Sequence, residues 1–169
     1  MWLVRLVCSM MGNLVKHAVK LNNEGLSTEE IVKSCQERAG KTQLFFVPES
    51  MEFLKRGGRV SPAIAAIGGL LGIKPVLSYQ DGAIGKYGTT RSLKQILPKL
   101  VEEFQKSNYN PDEWEIHLLE FDSELSMKIV KETMEKAFPE YDLIISPLSI
   151  NVCAHTGPGT IGVGFIQKF

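Results

Sequence analysis

The stretch WEIHLLEFDSELSMKIVKETMEKAFPEYDLIIS, residues 114–146, decides the fold class. Its pattern predicts a strand at Trp114–Phe121, a helix from Ser123 to about Phe138 capped by Asp122, and a strand at Leu143–Ser146. A strand, a helix and a strand in succession imply a crossover unit, whose two strands lie parallel in one sheet. The segment therefore predicts an α/β protein.

The flanking sequence adds an antiparallel part to this sheet. Two strand-like runs, Ile73–Tyr79 and Ala83–Thr89, are joined by Gln80-Asp81-Gly82, and an Asp-Gly pair favours a tight hairpin. A mixed sheet covered by helices is therefore predicted. The other expected elements are strands at Gln43–Val47 and Thr160–Gln167 and helices near Met51–Lys55, at Ala63–Leu71 after Ser61-Pro62, and from Leu93 to Phe104, where Pro98 should kink the helix or mark its true start.

A helical hairpin is predicted before the sheet. Apolar residues of Gly12–Leu21 share one helical stripe, and Ser27-Thr28-Glu29-Glu30 forms a capping box for a second helix that Gly40 should end. A strand and turn should precede the pair. The only plausible domain boundary lies near residue 42, which separates residues 1–42, the strand and turn plus the hairpin, from residues 43–169, the α/β domain.

Composition limits the classes of function. The chain has 169 residues, of which 44% are hydrophobic, and its 19 basic residues equal its 19 acidic ones, so no overall basic field attracts nucleic acid. Cys8, Cys35 and Cys153 form no CxxC pair and are interpreted as reduced core residues of a cytosolic protein. Gly, Pro or charges interrupt each apolar run, which argues against membrane insertion. A cytoplasmic location is expected.

The segment FLKRGGRVS, Phe53–Ser61, is the first candidate binding site. Lys55, Arg56 and Arg59 surround a glycine pair immediately before a predicted helix, where a carboxylate or phosphate would meet cations and free backbone N–H groups. An ordinary helix end with solvated basic residues explains the same spacing, and on spacing alone it is favoured. The following SPAIAAIGGLLGI is apolar on every side, and it suits either a narrow hydrocarbon-filled slot or a helix buried between two layers.

The segment AHTGPGTIGVG, Ala154–Gly164, is the second candidate. Gly157 and Gly159 would let the backbone approach a ligand, Thr156 offers a hydroxyl, and His155 can donate to a carboxylate. The pattern is neither GxGxxG nor a P-loop, so a nucleotide site is disfavoured. A tight turn that carries an ordinary surface histidine explains the segment at least as well as a ligand site does. Arg91 lies at the start of a predicted helix, where the helix dipole does not favour a cation. Arg91 is therefore interpreted either as a residue that docks a partner or as an ordinary solvated surface arginine.

Other residue types give no enzyme site. His17 and His117 are interpreted as surface residues of a helix and a strand. The sequence has no GxSxG, no HExxH and no cysteine–histidine pair with supporting context. No catalytic residue and no metal site are assigned.

Together, FLKRGGRVSPAIAAIGGLLGIKPVLSYQDGAIGKYGTTRSLK and AHTGPGTIGVGF resemble the two best signatures of the DegV family, and weaker resemblance covers essentially the whole chain. The resemblance implies the family's EDD fold and a protein that encloses one long-chain fatty acid, such as palmitate, stearate or oleate. It implies no enzyme activity, because a dihydroxyacetone-kinase-like fatty acid kinase phosphorylates the presented carboxylate with ATP. On this similarity the carboxylate residues are Arg59, His155 and Thr156, the acyl-chain residues are Ile64, Ile67 and Leu71, and Arg91 docks the kinase.

One departure from the family pattern concerns the N-terminus. In the family a first domain with Thr- and Ser-bearing loops precedes the position of Cys8–Gly12, so the chain is interpreted as N-terminally truncated, with residues 1–42 a remnant of that domain and 43–169 the lipid-binding C-terminal domain. Weaker lipid binding is expected, and the exposed interface could be covered by a homodimer. Two alternatives stay open: an enzyme that acts on a phosphorylated small molecule, and a purely structural or oligomerising domain.

Overall fold

The computed structural model describes residues 7–58, 72–80 and 83–169. Six helices occur in these ranges, and all of them flank one sheet. Their bounds are α1 Cys8–Asn23, α2 Thr28–Lys41, α3 Glu52–Arg56, α4 Leu93–Lys106, α5 Glu124–Ala137 and α6 Ile150–Thr156. The strands are β1 Gln43–Val47, β2 Lys74–Gln80, β3 Ala83–Thr90, β4 Trp114–Phe121, β5 Asp142–Pro147 and β6 Thr160–Gln167.

The six strands form a mixed sheet in the order β3-β2-β1-β6-β4-β5. β4 and β5 pair in parallel through the crossover helix α5, whereas every other neighbouring pair is antiparallel. The predicted α/β class, the hairpin and the crossover unit are therefore confirmed. The Asp81-Gly82 turn and the predicted helix Ala63–Leu71 lie outside the described residues, as do the first six residues of the predicted N-terminal strand.

Side chains alternate along the strands, so the sheet has an apolar core on each face. On one face, strand residues such as Phe45, Ile116 and Phe165 pack against α4 and α5 in the larger core cluster. On the other face, Leu44, Leu119 and Ile166 pack with residues of α1, α2 and α6. Phe46 and Leu77 extend this second face towards Leu54 of α3 and Ile84 of β3.

The helical hairpin forms as its sequence predicts, but α1 begins at Cys8, so the prediction of a strand and turn up to the helix start near Gly12 is wrong for residues 8–11. The hydroxyl of Ser27 accepts a hydrogen bond from the backbone N–H of Glu30, and the Glu30 carboxylate accepts one from the Ser27 backbone, which completes the capping box. Gly40 does not end the helix, which continues to Lys41. Met10 of α1 and Ala39 of α2 reach the core of the second face, so the hairpin and the sheet share that core. The domain boundary at residue 42 stays a prediction.

Two local predictions about helix ends and interiors need correction. Asp122 has a φ of 51° and lies before the N-cap, which is Ser123, and the Ser123 side chain makes no capping hydrogen bond. Pro98 neither ends nor begins α4, which extends from Leu93 to Lys106 with the proline inside it. The four buried residues of α4, Ile96, Leu97, Leu100 and Phe104, hold this helix on the sheet despite the lost N–H donor.

Candidate functional site

A cavity of about 270 Å³ lies on the face of the sheet that carries α1, α3 and α6. Its volume is close to the roughly 300 Å³ at which small-molecule sites begin. The sheet provides one wall through side chains that alternate along five strands, and the helices provide the others. The described residues that line it are Val7, Leu44, Phe46, Leu54, Tyr79, Ile84, Leu119, Leu148, Asn151, Val152, His155, Thr156, Thr160 and Gly162.

Helix α6 gives the cavity most of its polar groups. The sequence patterns do not predict this helix, because INVCAHT is too short for a clear helical period, and His155 lies in the helix instead of the tight turn that its sequence suggests. In the structure Asn151 and Val152 line the cavity on one turn of α6, and His155 and Thr156 line it on the next. This spacing of three to four residues sets all four side chains on one face of the helix.

His155 brings the two candidate segments together. An ideal Cβ built on Gly57 would lie only 2.1 Å from the Nδ1 atom of His155, so the imidazole rests directly on the backbone of the first glycine in KRGGR. The Nδ1 atom is buried, and within residues 7–58, 72–80 and 83–169 it has no hydrogen-bond partner. A buried, unpaired ring nitrogen at a cavity wall is a group that a bound ligand could satisfy.

Gly157 and Gly159 have a different role from the one their pattern suggests. Both have positive φ, 76° and 79°, and both lie where neighbouring atoms leave no room for a Cβ atom. A Cβ on Gly157 would lie 2.3 Å from the Phe53 ring, and one on Gly159 would lie 2.8 Å from the Cβ of Glu49. The space beside these glycines is filled by protein, so they allow the turn to pack on α3 and do not admit a ligand there.

The hydroxyl groups at the cavity are already used as donors. Thr156 donates to the carbonyl of Val152 at 3.1 Å, and Thr160 donates to the carbonyls of Thr156 and Gly157. A carboxylate accepts hydrogen bonds and donates none, so Thr156 can serve it only if its hydroxyl turns away from Val152. Asn151 differs, because its Oδ1 accepts from Ser149 Oγ at 2.6 Å and its amide nitrogen has no partner among the residues that the structure describes.

The described wall of the cavity carries no Asp, Glu, Lys or Arg side chain. Burial raises the pKa of the Tyr79 phenol, so this group stays neutral across the physiological range. Burial also raises the pKa of the Cys153 thiol in the adjacent core. A long apolar ligand suits this wall, whereas a charged head group needs a cation from residues beyond it.

The other predicted site residues are not all in the described part of the chain. Arg59, Ile64, Ile67 and Leu71 lie outside the described residues. Arg91 is exposed and lies two residues before α4, the helix that packs on the opposite face of the sheet from the cavity. Its backbone N–H donates to Gln95 Oε1 at 3.1 Å. The structure therefore brings His155 and Thr156 together at the cavity and leaves Arg91 on a separate surface.

A second polar cluster lies under α1, where the interpretation of His117 as a surface residue is wrong. His117 is only 2% exposed. Its Nε2 lies 2.9 Å from Glu115 Oε1 and its Nδ1 lies 2.7 Å from Ser9 Oγ. Because the ionised carboxylate only accepts, the ring donates from Nε2 to Glu115, and its Nδ1 shares a hydrogen bond with the Ser9 hydroxyl.

This cluster continues across the hairpin. Asn13 Nδ2 donates to Glu115 Oε1 at 2.8 Å, and the buried Arg38 guanidinium donates to Asn13 Oδ1 and to the carbonyl of Gln167. Burial by itself raises the pKa of the Glu115 carboxyl, but the hydrogen bonds from His117 and Asn13 and the charges nearby lower it on balance. The network therefore ties α1 and α2 to β4 and β6, although the buried Nε of Arg38 has no partner among the described residues.

The half-buried His17 also contacts a neighbour, since its Nε2 lies 2.9 Å from Ser34 Oγ of α2.

The three cysteines are free, and Cys153 alone among them is buried. None of the helices in the described ranges has both the length and the apolar composition that a bilayer crossing requires.

Nearly the whole chain is similar to one protein family. The model of the family described as "Uncharacterised protein, DegV family" matches residues 4–168. A DegV domain-containing protein of Clostridium perfringens is 34% identical over 163 residues, which are 96% of this chain and 56% of that protein. The chain thus spans little more than half the length of such relatives.

Solved structures give the same picture. A fatty acid binding DegV family protein of Streptococcus agalactiae superposes with a TM-score of 0.83 at 30% identity, over 94% of this chain and 56% of that one. The fatty acid kinase (Fak) B3 protein of Streptococcus pneumoniae, loaded with linoleic acid, gives a TM-score of 0.74 at 26% identity, over 90% and 54% of the two chains.

Proposed function

The chain belongs to the DegV family, and we propose that it binds one long-chain fatty acid and presents the carboxylate to a fatty acid kinase. The observation that carries this proposal is the cavity, whose described wall has no Asp, Glu, Lys or Arg side chain and includes His155, a residue whose buried Nδ1 has no hydrogen-bond partner among the described residues. Such a wall fits a hydrocarbon tail along the sheet and an acceptor head group beside α6. The fatty acids bound by structural relatives support the same ligand class.

Under this proposal the head group lies near the contact between Gly57 and His155. Arg59 follows this contact by two residues and provides the cation that the described wall lacks. His155 donates one hydrogen bond to the carboxylate, and Thr156 adds another once its hydroxyl turns from the carbonyl of Val152. The nearby backbone of Gly57 keeps the imidazole from moving away from the ligand.

The tail provides most of the affinity. A hexadecanoate tail has 14 methylene groups, and burial of each one contributes about 0.8 kcal/mol, so the gross gain is about 11 kcal/mol before the costs of association. Leu44, Phe46, Leu54 and Ile84 form the described apolar wall for it. We propose that Ile64, Ile67 and Leu71 complete that wall.

The proposed chemistry takes place on a partner. The kinase, a dihydroxyacetone-kinase-like protein, transfers the γ-phosphoryl group of ATP to a carboxylate oxygen, which gives an acyl phosphate and ADP, while this chain holds the acid. Arg91 is the proposed docking residue, because it is exposed and matches the arginine to which the family resemblance assigns that role. This role places the chain in the cytoplasm with its ATP-dependent partner, and a homodimer is a further proposal for its apolar interface.

The test is direct. The chain is purified without detergent, extracted with organic solvent and examined by mass spectrometry, and the delipidated protein is titrated with palmitate and oleate. We expect a long-chain acid in the extract at up to one equivalent and saturable binding of both added acids. An extract without long-chain acid, together with no binding of either added acid, would refute the carrier function for this chain.

A further inference from the structure

The amide of Asn151 is a polar group at the cavity that the sequence patterns did not single out. Asn151 is exposed, whereas His155, four residues later on α6, is half-buried, so Asn151 lies at the mouth of the cavity and His155 lies deeper. Asn151 is therefore positioned where the polar end of a ligand would meet the solvent.

The hydrogen bonds of Asn151 determine which of its atoms remains available. Ser149 Oγ donates to Oδ1 at 2.6 Å, and Ser149 itself is fixed by Cys8, whose Sγ accepts from the Ser149 backbone N–H at 3.2 Å and lies 3.4 Å from Ser149 Oγ. The carbonyl side of the amide is thus occupied by a neighbour that is held in place. The two N–H donors of Nδ2 have no acceptor within the described ranges.

The neighbouring side chains cannot easily replace these donors. The hydroxyls of Thr156 and Thr160 donate to backbone carbonyls, and most of the remaining described wall is apolar. A carboxylate accepts up to four hydrogen bonds and needs several donors when it is partly buried. A neutral alcohol head needs only one partner.

We propose that Asn151 is a second head-group ligand, which donates from Nδ2 to the carboxylate at the mouth of the cavity and selects acids over neutral lipids of equal length. This inference rests on the proposed fatty acid function. It assigns the specificity for the head group to two residues one turn apart on α6. Asn151 provides neutral donors at the mouth, and His155 provides a donor deeper in the cavity.

The experiment measures binding of hexadecanoate and of 1-hexadecanol, which have the same tail length, to the delipidated full chain by equilibrium partitioning of radiolabelled ligand. Asn151→Leu keeps a similar volume and removes the donors, and Asn151→Asp places a negative charge at the same point. Asn22→Asp is the matched control, because Asn22 is exposed at the end of α1 and does not line the cavity. Thermal melts of each variant show that the fold is retained.

For Asn151→Leu we expect the affinity for hexadecanoate to fall roughly 10- to 100-fold, the range for one hydrogen bond to a charged group, while the affinity for hexadecanol changes less than about threefold. Asn151→Asp should lower hexadecanoate binding further and leave hexadecanol nearly unchanged, and Asn22→Asp should bind both ligands like the wild type.

Three other outcomes overturn the inference. If both Asn151 variants bind hexadecanoate like the wild type, the inference fails and the proposed fatty acid function stands. If they lose both ligands equally, Asn151 shapes the tail cavity and does not select the head group. If the wild type binds hexadecanol but no hexadecanoate, or neither ligand, the proposed function fails and the inference fails with it.

Discussion

Replacement of Gly57 by alanine should displace His155 without straining the backbone. Gly57 has φ −76° and ψ −1°, which any residue adopts, so the substitution has no conformational cost of its own. The new Cβ would lie 2.1 Å from Nδ1 of His155, which is 1.3 Å short of the 3.4 Å at which ordinary contact begins. Either the imidazole or the backbone must therefore move by about that amount.

Such overpacking typically costs about 1–3 kcal/mol. For a chain of this length each kcal/mol lowers Tm by about 2–4 °C, so the Gly57→Ala variant should melt about 2–12 °C below the wild type in calorimetry. Gly12→Ala in α1 is the control, because no atom lies within 4 Å of its added Cβ, and alanine in a helix is favoured over glycine by about 0.5–1 kcal/mol. The control should be as stable as the wild type or slightly more stable.

A double-mutant cycle identifies the partner in the clash. In a His155→Ala background the ring is absent, so addition of Gly57→Ala should have almost no further effect on Tm, which gives a coupling energy of about 1–3 kcal/mol. Hexadecanoate binding should fall in the Gly57→Ala variant as well, since the displaced imidazole no longer lies at the cavity wall. A Gly57→Ala protein that melts and binds like the wild type would show that the contact between Gly57 and His155 is not formed as described.

Three more predictions concern other parts of the molecule. The pKa of the Glu115 carboxyl is lowered in the folded state, so this group stabilises the fold at pH values above the ordinary glutamate pKa and stops doing so as pH falls through its folded-state pKa. Between pH 7 and pH 3, the free energy of unfolding in urea should therefore fall less for Glu115→Gln than for the wild type. An equal fall for the two proteins would contradict this prediction. Arg59→Ala should weaken hexadecanoate binding at least tenfold and hexadecanol binding little, as measured by partitioning, and equal affinities for the acid before and after the change would remove Arg59 from the head-group site. Arg91→Ala should bind hexadecanoate like the wild type but support less acyl phosphate formation by the kinase, and unchanged product formation would rule out docking through Arg91.

The strands and their connections were predictable because their signals are local. The alternation of strand, helix and strand in residues 114–146 specified the parallel pair β4 and β5, and the two runs around Asp81-Gly82 specified the antiparallel pair β2 and β3. The capping box at Ser27 likewise needs only four consecutive residues. Each of these patterns acts over a few residues, so tertiary packing had little opportunity to override it.

The features that the sequence did not reveal depend on distant neighbours. The alternation along β4 correctly predicts that His117 lies on the other face of the sheet from Ile116 and Leu118. Helix α1 covers that face, however, so His117 is buried there and paired with Ser9. The glycines at 157 and 159 likewise gain their meaning from Phe53 and Glu49, about a hundred residues away in the chain. Helix α6, with seven residues, is too short for periodicity to reveal it.

The charges at the cavity determine how a preference for hexadecanoate over hexadecanol should be interpreted. The described wall offers donors at Asn151 and His155 but no Lys or Arg, and burial of an unpaired carboxylate is costly. A strong preference for hexadecanoate over hexadecanol therefore needs, besides the donors of Asn151 and His155, a cation from Arg59 or from the part of the family's length that this chain does not span. If the wild-type chain prefers the acid and Arg59→Ala abolishes that preference without a loss of hexadecanol binding, the 169 residues contain a complete head-group site. If the wild type binds both ligands equally, these residues contain the tail site, and the family's additional length must supply the charge that distinguishes an acid from an alcohol.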